Sequence, residues 1–307
     1  MVGGWLSEEA AGRLFAAAGQ DLGQLTVAAA RRGFRAVPLD LGLEASVKSV
    51  VRRSSTDNVM ARWPGRGPLR DEAVLIGGHY DHFGIGEPVN GDSIFNGAED
   101  NASGTAAVLA AAEAFVRSGV HPGRSLIFVG FAAEESGLLG SQAMAEHPPV
   151  PLRKIAAMLN LDVMNLYGRT RDVSALGLDQ SSLGSVFARA AAAEGLKVTS
   201  NEEALLRGFY FRSDHFSFAR VGVPGTSLEN GSDYVGQPAD YGKRLKEEYN
   251  ANRYHQPSDE ILPWFTYGGA VQQLRVTVRT AVAIASAPTQ PSWNPSSEFR
   301  AAGENRR

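Results

Sequence analysis

Apolar and polar positions change their spacing along the chain, from a helical period near the start to alternating strand and helix patterns from about residue 46. Residues 5–33 are Ala-rich with an amphipathic period and predict two helices. Ser7 is placed to cap the first, with Glu8 and Glu9 in its opening turn, and "RRG" (31–33) would end the second. Residues 1–45 therefore read as a helical appendage. From "SVKSVVRRSS" (46–55) and "NVMARWPG" (58–65) onward, strand patterns alternate with helices and turn residues fall between them.

Short apolar runs at "EAVLIGGHYD" (72–81), "RSLIFVGFAAEE" (124–135), "IAAMLNLDVM" (155–164) and "GVPGTSLE" (222–229) predict buried strands. Helical patterns over 103–119, 136–146, 179–194 and 266–286 separate and follow them, the first closed by Gly119. Apolar strands alternating with helices need cover on both faces, which predicts an α/β fold over 46–287. The expected form is a three-layer α/β/α sandwich with a mixed, mostly parallel central sheet. Chemistry in such sheets collects at the carboxyl ends of the strands. Residues 232–253 are polar and read as a surface insertion with a short helix around 241–249. Because they lead into Tyr254 and His255, they could equally border a cleft. The Pro/Ser-rich residues 288–307 predict an extended tail.

Composition narrows the function classes. With 307 residues and 43% hydrophobic content, the chain can bury a large core. A formal net charge of −3 and no long run of like charge give nucleic acid no electrostatic footing. No apolar stretch approaches the roughly 18 residues of a membrane span. The opening "MVGGWLSEEA" has no basic segment followed by an apolar one. That predicts a cytoplasmic location if Met1 is the native start, and a periplasmic or secreted one if a leader precedes it. There are no cysteines, so any metal must be held by His, Asp and Glu.

Those residue types recur where the predicted strands stop. "LIGGHYDH" supplies His79 and Asp81, "NGAEDNASG" (96–104) supplies Asp100, and "FAAEESG" supplies Glu134 and Glu135. "LNLDVM" supplies Asp162 and "RYHQPSDE" (253–260) supplies His255. His79 and Asp81 are two apart, so on extended chain they point the same way and the carboxylate can hold the imidazole's other nitrogen. Neighbouring Glu134 and Glu135 point apart on extended chain, so one can bind a metal while the other faces substrate. Two histidines with several carboxylates and no thiolate suit Zn²⁺, with Mn²⁺ or Co²⁺ as substitutes. Taken singly, His79 or His255 reads as an ordinary hydrogen-bonded histidine, and Asp100 or Asp162 as a cap. None of those readings explains acids at every strand end.

The motifs "HYD", "EDNASG", "AAEESG", "NLD" and "YHQPSD", in that order between about residues 46 and 287, resemble the M28 family of zinc aminopeptidases. "WNPSSEF" and "FRSDHFSFARVGVPGTSLENG" (211–231) resemble a bacterial branch of it. In many members a protease-associated domain precedes the catalytic one, and residues 5–45 resemble the segment that follows that domain. The resemblance implies a zinc-exopeptidase-like fold and two Zn²⁺ ions. Asp100 would bridge them, with Glu135 and His255 completing one site and His79 and Asp162 the other. It implies Glu134 as general base toward a metal-bridged water, Tyr254 as oxyanion donor and Arg212 near the same oxygen. It further implies a cis peptide from Asp100 to Asn101. Of the other histidines, His121 and His147 read as solvated surface residues, and His82 and His215 as non-ligands. Asp214 reads as a structural hydrogen-bond acceptor.

The expected activity is removal of an N-terminal residue from a peptide whose free amine meets acidic groups near the metals. Alternatives on the same scaffold are a carboxypeptidase or dipeptidase and a glutaminyl-cyclase-like acyltransferase with one metal. A non-catalytic, receptor-like binding module is the alternative from another class.

Overall fold

The computed structural model describes residues 4–306 except 43 and 52. The chain forms two compact units, residues 1–54 and 55–307. In the first, α1 (Glu8–Ala17) is capped by Ser7, whose side chain accepts the N–H of Ala10. Asp21 caps α2 (Leu22–Ala29) in the same way through Gln24. The described part of 46–55, predicted to open the strand pattern, is irregular. Its Val47, Val50 and Val51 are exposed, and no strand among the described residues pairs with it. Alternation alone does not make a strand where no ladder partner is available.

The second unit opens with β1 (Val59–Trp63), β2 (Ala73–His79) and a hairpin of β3 (Gly84–Val89) and β4 (Asp92–Phe95). Then come α3 (Ser103–Ser118), β5 (Ser125–Phe131), α4 (Leu139–Glu146), β6 (Ile155–Asn160) and β7 (Asp172–Leu176). The chain continues through α5 (Leu183–Ala193), β8 (Lys197–Val198), α6 (Glu202–Leu206), α7 (His215–Arg220) and β9 (Gly225–Glu229). It closes with α8 (Tyr241–Asn252), α9 (Gly268–Ser286) and α10 (Arg300–Asn305).

Seven strands form one sheet in the order β1–β5–β2–β6–β9–β7–β8. Neighbours from β5 to β9 run parallel, whereas β1 on β5 and β7 on β9 are antiparallel. The sheet is mixed and mostly parallel, and helices cover both faces. Successive residues of a strand point to opposite faces. Thus Val74, Ile76, Leu126 and Phe128 join one core with residues of α3, α5 and α9. Ala73, Leu75, Ile127 and Val129 join the other with Met144 and Ala145 of α4 and Phe218 of α7. Each buried Val, Leu, Ile, Met or Phe among them contributes roughly 1.5–3 kcal/mol of burial. That two-sided burial is why these strands read as continuous apolar runs.

The C-terminal segment differs from the expected extended tail. It carries α10, and Phe299 is buried in a third cluster with Leu176, Tyr210 and Ala219, against which Trp293 packs. The Trp293 indole donates to the carbonyl of Gly222 at 2.9 Å. Scattered aromatic residues anchor this segment without giving it a periodic pattern.

Candidate metal centre

β2, β5, β6 and β9 end on one edge of the sheet. His79, Asp81, Glu134, Glu135 and Asp162 lie at or just beyond the ends of β2, β5 and β6. Asp100 instead precedes α3 and His255 follows α8, so acids at strand ends account for only part of the cluster. His79 is the last residue of β2 and is 1% exposed. Its Nδ1 lies 3.1 Å from the main-chain oxygen of Asp81. A carbonyl only accepts, so Nδ1 carries a proton, and Nε2 is the nitrogen that faces the acids. That Nε2 is 3.2 Å from Asp100 Oδ1 and 3.3 Å from Asp162 Oδ1.

The Asp81 carboxylate corrects the sequence expectation. It stands 3.8 Å from His79 Nδ1 and instead accepts the N–H groups of Glu134 and Glu135 at 3.1 and 3.4 Å. The two glutamates are also not on extended chain. β5 ends at Phe131, where Asn58 takes the N–H of Ala132 at 3.0 Å, and Ala133 turns at φ 54°. The pair still diverges, from a turn rather than a pleat.

Asp100 lies in a single irregular turn, 98–102, that leads into α3. Its N–H is accepted by the buried Asp259 carboxylate at 3.0 Å. The peptide from Asp100 to Asn101 is cis. Asp100 Oδ2 faces His255 Nε2 at 3.4 Å, and Glu135 Oε2 approaches the same nitrogen at 3.3 Å. The two oxygens of Asp100 therefore serve two different donor sets. Asp162, two residues past β6, keeps Oδ1 on His79 while Ser213 donates to its Oδ2 at 2.7 Å. Val163 and His255 take positive φ, 56° and 57°. For a β-branched residue this is an outlier, and such conformations cluster at functional sites.

The electrostatics describe a cluster that wants positive charge. Burial works to lower the His79 imidazole, yet Asp162 and Asp100 outweigh it and hold the ring protonated well above its usual range. Burial likewise opposes protonation of His255, and bonds to Asp100 and Glu135 bring it to about 9. Burial raises Asp100 and Glu135, but the histidines beside them leave both below the ordinary carboxylate value. Burial pushes Glu134 up to about 9, with Asp162, Asp214 and Glu135 adding to it against His79. Protons here stand where a cation would. Among the described residues, two groups come close enough to hold one, His79 with Glu134 and Asp162, and His82 with Asp100 and Glu135. In each, the donor atoms lie within 4.8 Å of one another. Imidazole and carboxylate donors, with one aspartate facing both ways, fit a pair of zinc-like ions.

Residues 58–268 match the model of peptidase family M28. The chain belongs to peptidase family M28. Leupeptin-inactivating enzyme 1 of Streptomyces exfoliatus is 33% identical over 179 residues, 58% of this chain and 36% of that protein. A zinc aminopeptidase structure from Bacillus subtilis aligns with a TM-score of 0.53 and 22% identity, over 73% of this chain and 48% of that one. The glutaminyl cyclase of Porphyromonas gingivalis aligns with a TM-score of 0.50 and 19% identity, over 74% and 75%. At those identities the structural matches establish the fold. The chain spans well under two thirds of the Streptomyces protein's length.

In this M28 chain the remaining candidates divide. Tyr254 stacks on His255, with centroids 3.7 Å apart and planes at 24°, and burial followed by the charge of Asp100 keeps its phenol protonated. Arg212 donates to the carbonyl of Arg207 at 3.2 Å and lies over the Phe209 ring. Asp214 is fully buried, its oxygens lack partners among the described residues, and burial pushes it up to about 7. His215 is equally buried and burial holds it neutral, at about 3. His82, expected to be a non-ligand, has Nδ1 2.7 Å from Glu135 Oε1, although the ring is not aligned as a hydrogen-bond donor. His147 is exposed, but His121 stacks on Trp63 at 4.4 Å and reaches the carbonyl of Pro64.

Sequence reasoning missed Asp259, Ser213 and the Glu99–Arg253 pair. All four residues stood inside the motif segments. What marks them is contact made only in the fold, Asp259 with the Glu99 and Asp100 backbone, Ser213 with the Asp162 carboxylate and Arg253 with Glu99, which no spacing rule reveals.

Proposed function

We propose that this M28 chain is a two-zinc aminopeptidase that hydrolyses the N-terminal peptide bond of peptides. The observation that carries this reading is the division of Asp100, with one oxygen toward His79 and Asp162 and the other toward His255 and Glu135. These five side chains would hold two zinc ions, which would supply a water of lowered pKa and polarise the scissile carbonyl. Glu134 takes the proton of the attacking water and returns it to the leaving amine. Asp81 supports that role by fixing the Glu134 backbone. The Tyr254 hydroxyl, kept protonated, donates to the developing oxyanion. The substrate's free ammonium would be recognised by acidic groups near the metals.

Elemental metal analysis coupled to an aminoacyl-anilide panel tests the proposal. The expected result is two zinc ions per chain and cleavage of an unblocked anilide but not its N-acetylated form. Equal cleavage of both sinks the aminopeptidase assignment, and a single zinc per chain favours a cyclase-like acyltransferase.

A further inference from the structure

We propose that Arg253 is a positioning residue for the metal pair, its buried ion pair with Glu99 clasping the Asp100 turn to the segment that carries Tyr254 and His255. The inference rests on the two-metal reading above. Arg253 is 4% exposed and Glu99 1%. Charged residues are rarely buried to that degree, and unpaired they are costly. Arg253 Nη1 donates to Glu99 Oε2 at 3.0 Å, and Nη2 donates to Tyr167 Oη at 2.6 Å and Glu248 Oε2 at 2.7 Å. The Tyr167 hydroxyl also bonds Glu99 Oε2. The rings of Tyr249, Trp264 and Tyr167 lie 5.0, 5.5 and 5.7 Å from the guanidinium carbon, so three aromatic faces enclose one cation.

The location gives this clasp its consequence. Glu99 immediately precedes Asp100, and Arg253 precedes His255 by two residues. Asp259 makes a second attachment between the same segments, taking the N–H groups of Glu99 and Asp100, each at 3.0 Å. Zinc accepts nitrogen and oxygen donors only within a few tenths of an ångström of about 2.0–2.2 Å. The Asp100–His255 spacing, 3.4 Å between Oδ2 and Nε2, must therefore be set by the protein around it. Apolar residues would hold the two segments together at least as well in stability terms, because desolvating an ion pair is costly. A directional, charge-assisted pair adds what they lack, a defined position for the backbone on either side.

The test separates positioning from stability. Arg253→Met alone strands a buried carboxylate and destabilises the fold for that reason. Combining Glu99→Gln with Arg253→Met removes both charges, so the metal-free protein is expected to melt near the wild-type temperature. The double variant should nonetheless bind one of its two metals about 10- to 100-fold more weakly. The readouts are zinc per chain during graded chelator dialysis and the visible spectrum of the Co²⁺-loaded protein. Two metals retained with the wild-type chelator profile and spectrum overturn the proposal, whatever the melting temperature. If the double variant does not fold, Glu99→Gln alone carries the test, with release in the same direction expected and an unchanged profile overturning it. A wild type that holds two metals yet cleaves no anilide removes the aminopeptidase reading, while metal release still judges the clasp. A wild type that holds fewer than two removes both.

Discussion

Asp81 accepts the main-chain N–H of Glu134 at 3.1 Å. One carboxylate at the end of β2 thereby holds the turn after β5, and the backbone oxygen of the same residue holds His79. Asp81→Ala should lower kcat about 10- to 100-fold with both metals kept, because the main-chain contact to His79 survives. Asp81→Asn retains one acceptor oxygen and should lose less. Zinc analysis beside steady-state kinetics checks this. Loss of one zinc from Asp81→Ala would place the action of the carboxylate on His79 instead.

Glu134 and Glu135 are neighbours with opposite assignments. Glu134→Gln should reduce turnover at least about 10²-fold while zinc content stays near wild type. His255→Ala should lose metal along with activity, since its Nε2 is shared by Asp100 and Glu135. Equal metal loss in the two variants would mean that Glu134 is itself a ligand, as its grouping with His79 and Asp162 allows.

Metal-free and metal-loaded protein should respond oppositely to pH. Without cations, Glu134 and His255 both hold protons up to about 9, above their ordinary values of 4.5 and 6.5. The folded state then binds more protons than the unfolded one across that window, so stability falls as pH rises. The His255 contribution is complete below 6.5 and is lost through about 9. Metal binding needs His255 deprotonated, so the loaded protein gains as pH rises over part of that range. Melting curves of chelator-treated and zinc-loaded protein between about pH 6 and 9 should diverge. Parallel curves would refute the cluster as a shared proton and cation site.

Stability at the opposite edge of the sheet depends on Arg124. Its side chain is 1% exposed, pairs with Glu72 at 2.7 Å, and donates to the carbonyls of Ile284 and Ala287 at the end of α9. Arg124→Met should cost about 3 kcal/mol in denaturant unfolding, because a carboxylate and two carbonyls lose their donor. Activity per folded molecule should not change, as this residue lies at the amino end of β5, away from the centre. Altered metal content would contradict that separation.

The sequence by itself determined the buried central strands and the residue types of the candidate centre. Strands buried on both faces must be apolar throughout, so β2, β5 and β6 were legible as runs, and the acids and histidines that end those runs were conspicuous. Ser7 and Gly119 marked helix ends because capping is local chemistry. The irregularity of the described part of 46–55 and the anchoring of the C-terminal segment were not legible, because pairing and packing depend on what lies opposite. Only the tertiary structure decided that the Asp81 carboxylate takes the Glu134 N–H while its main-chain oxygen holds His79, that Asp100 divides its oxygens, and that Arg253 reaches Glu99. Residues 99 and 253 are distant in sequence, and only folding makes the position of one a condition on the other.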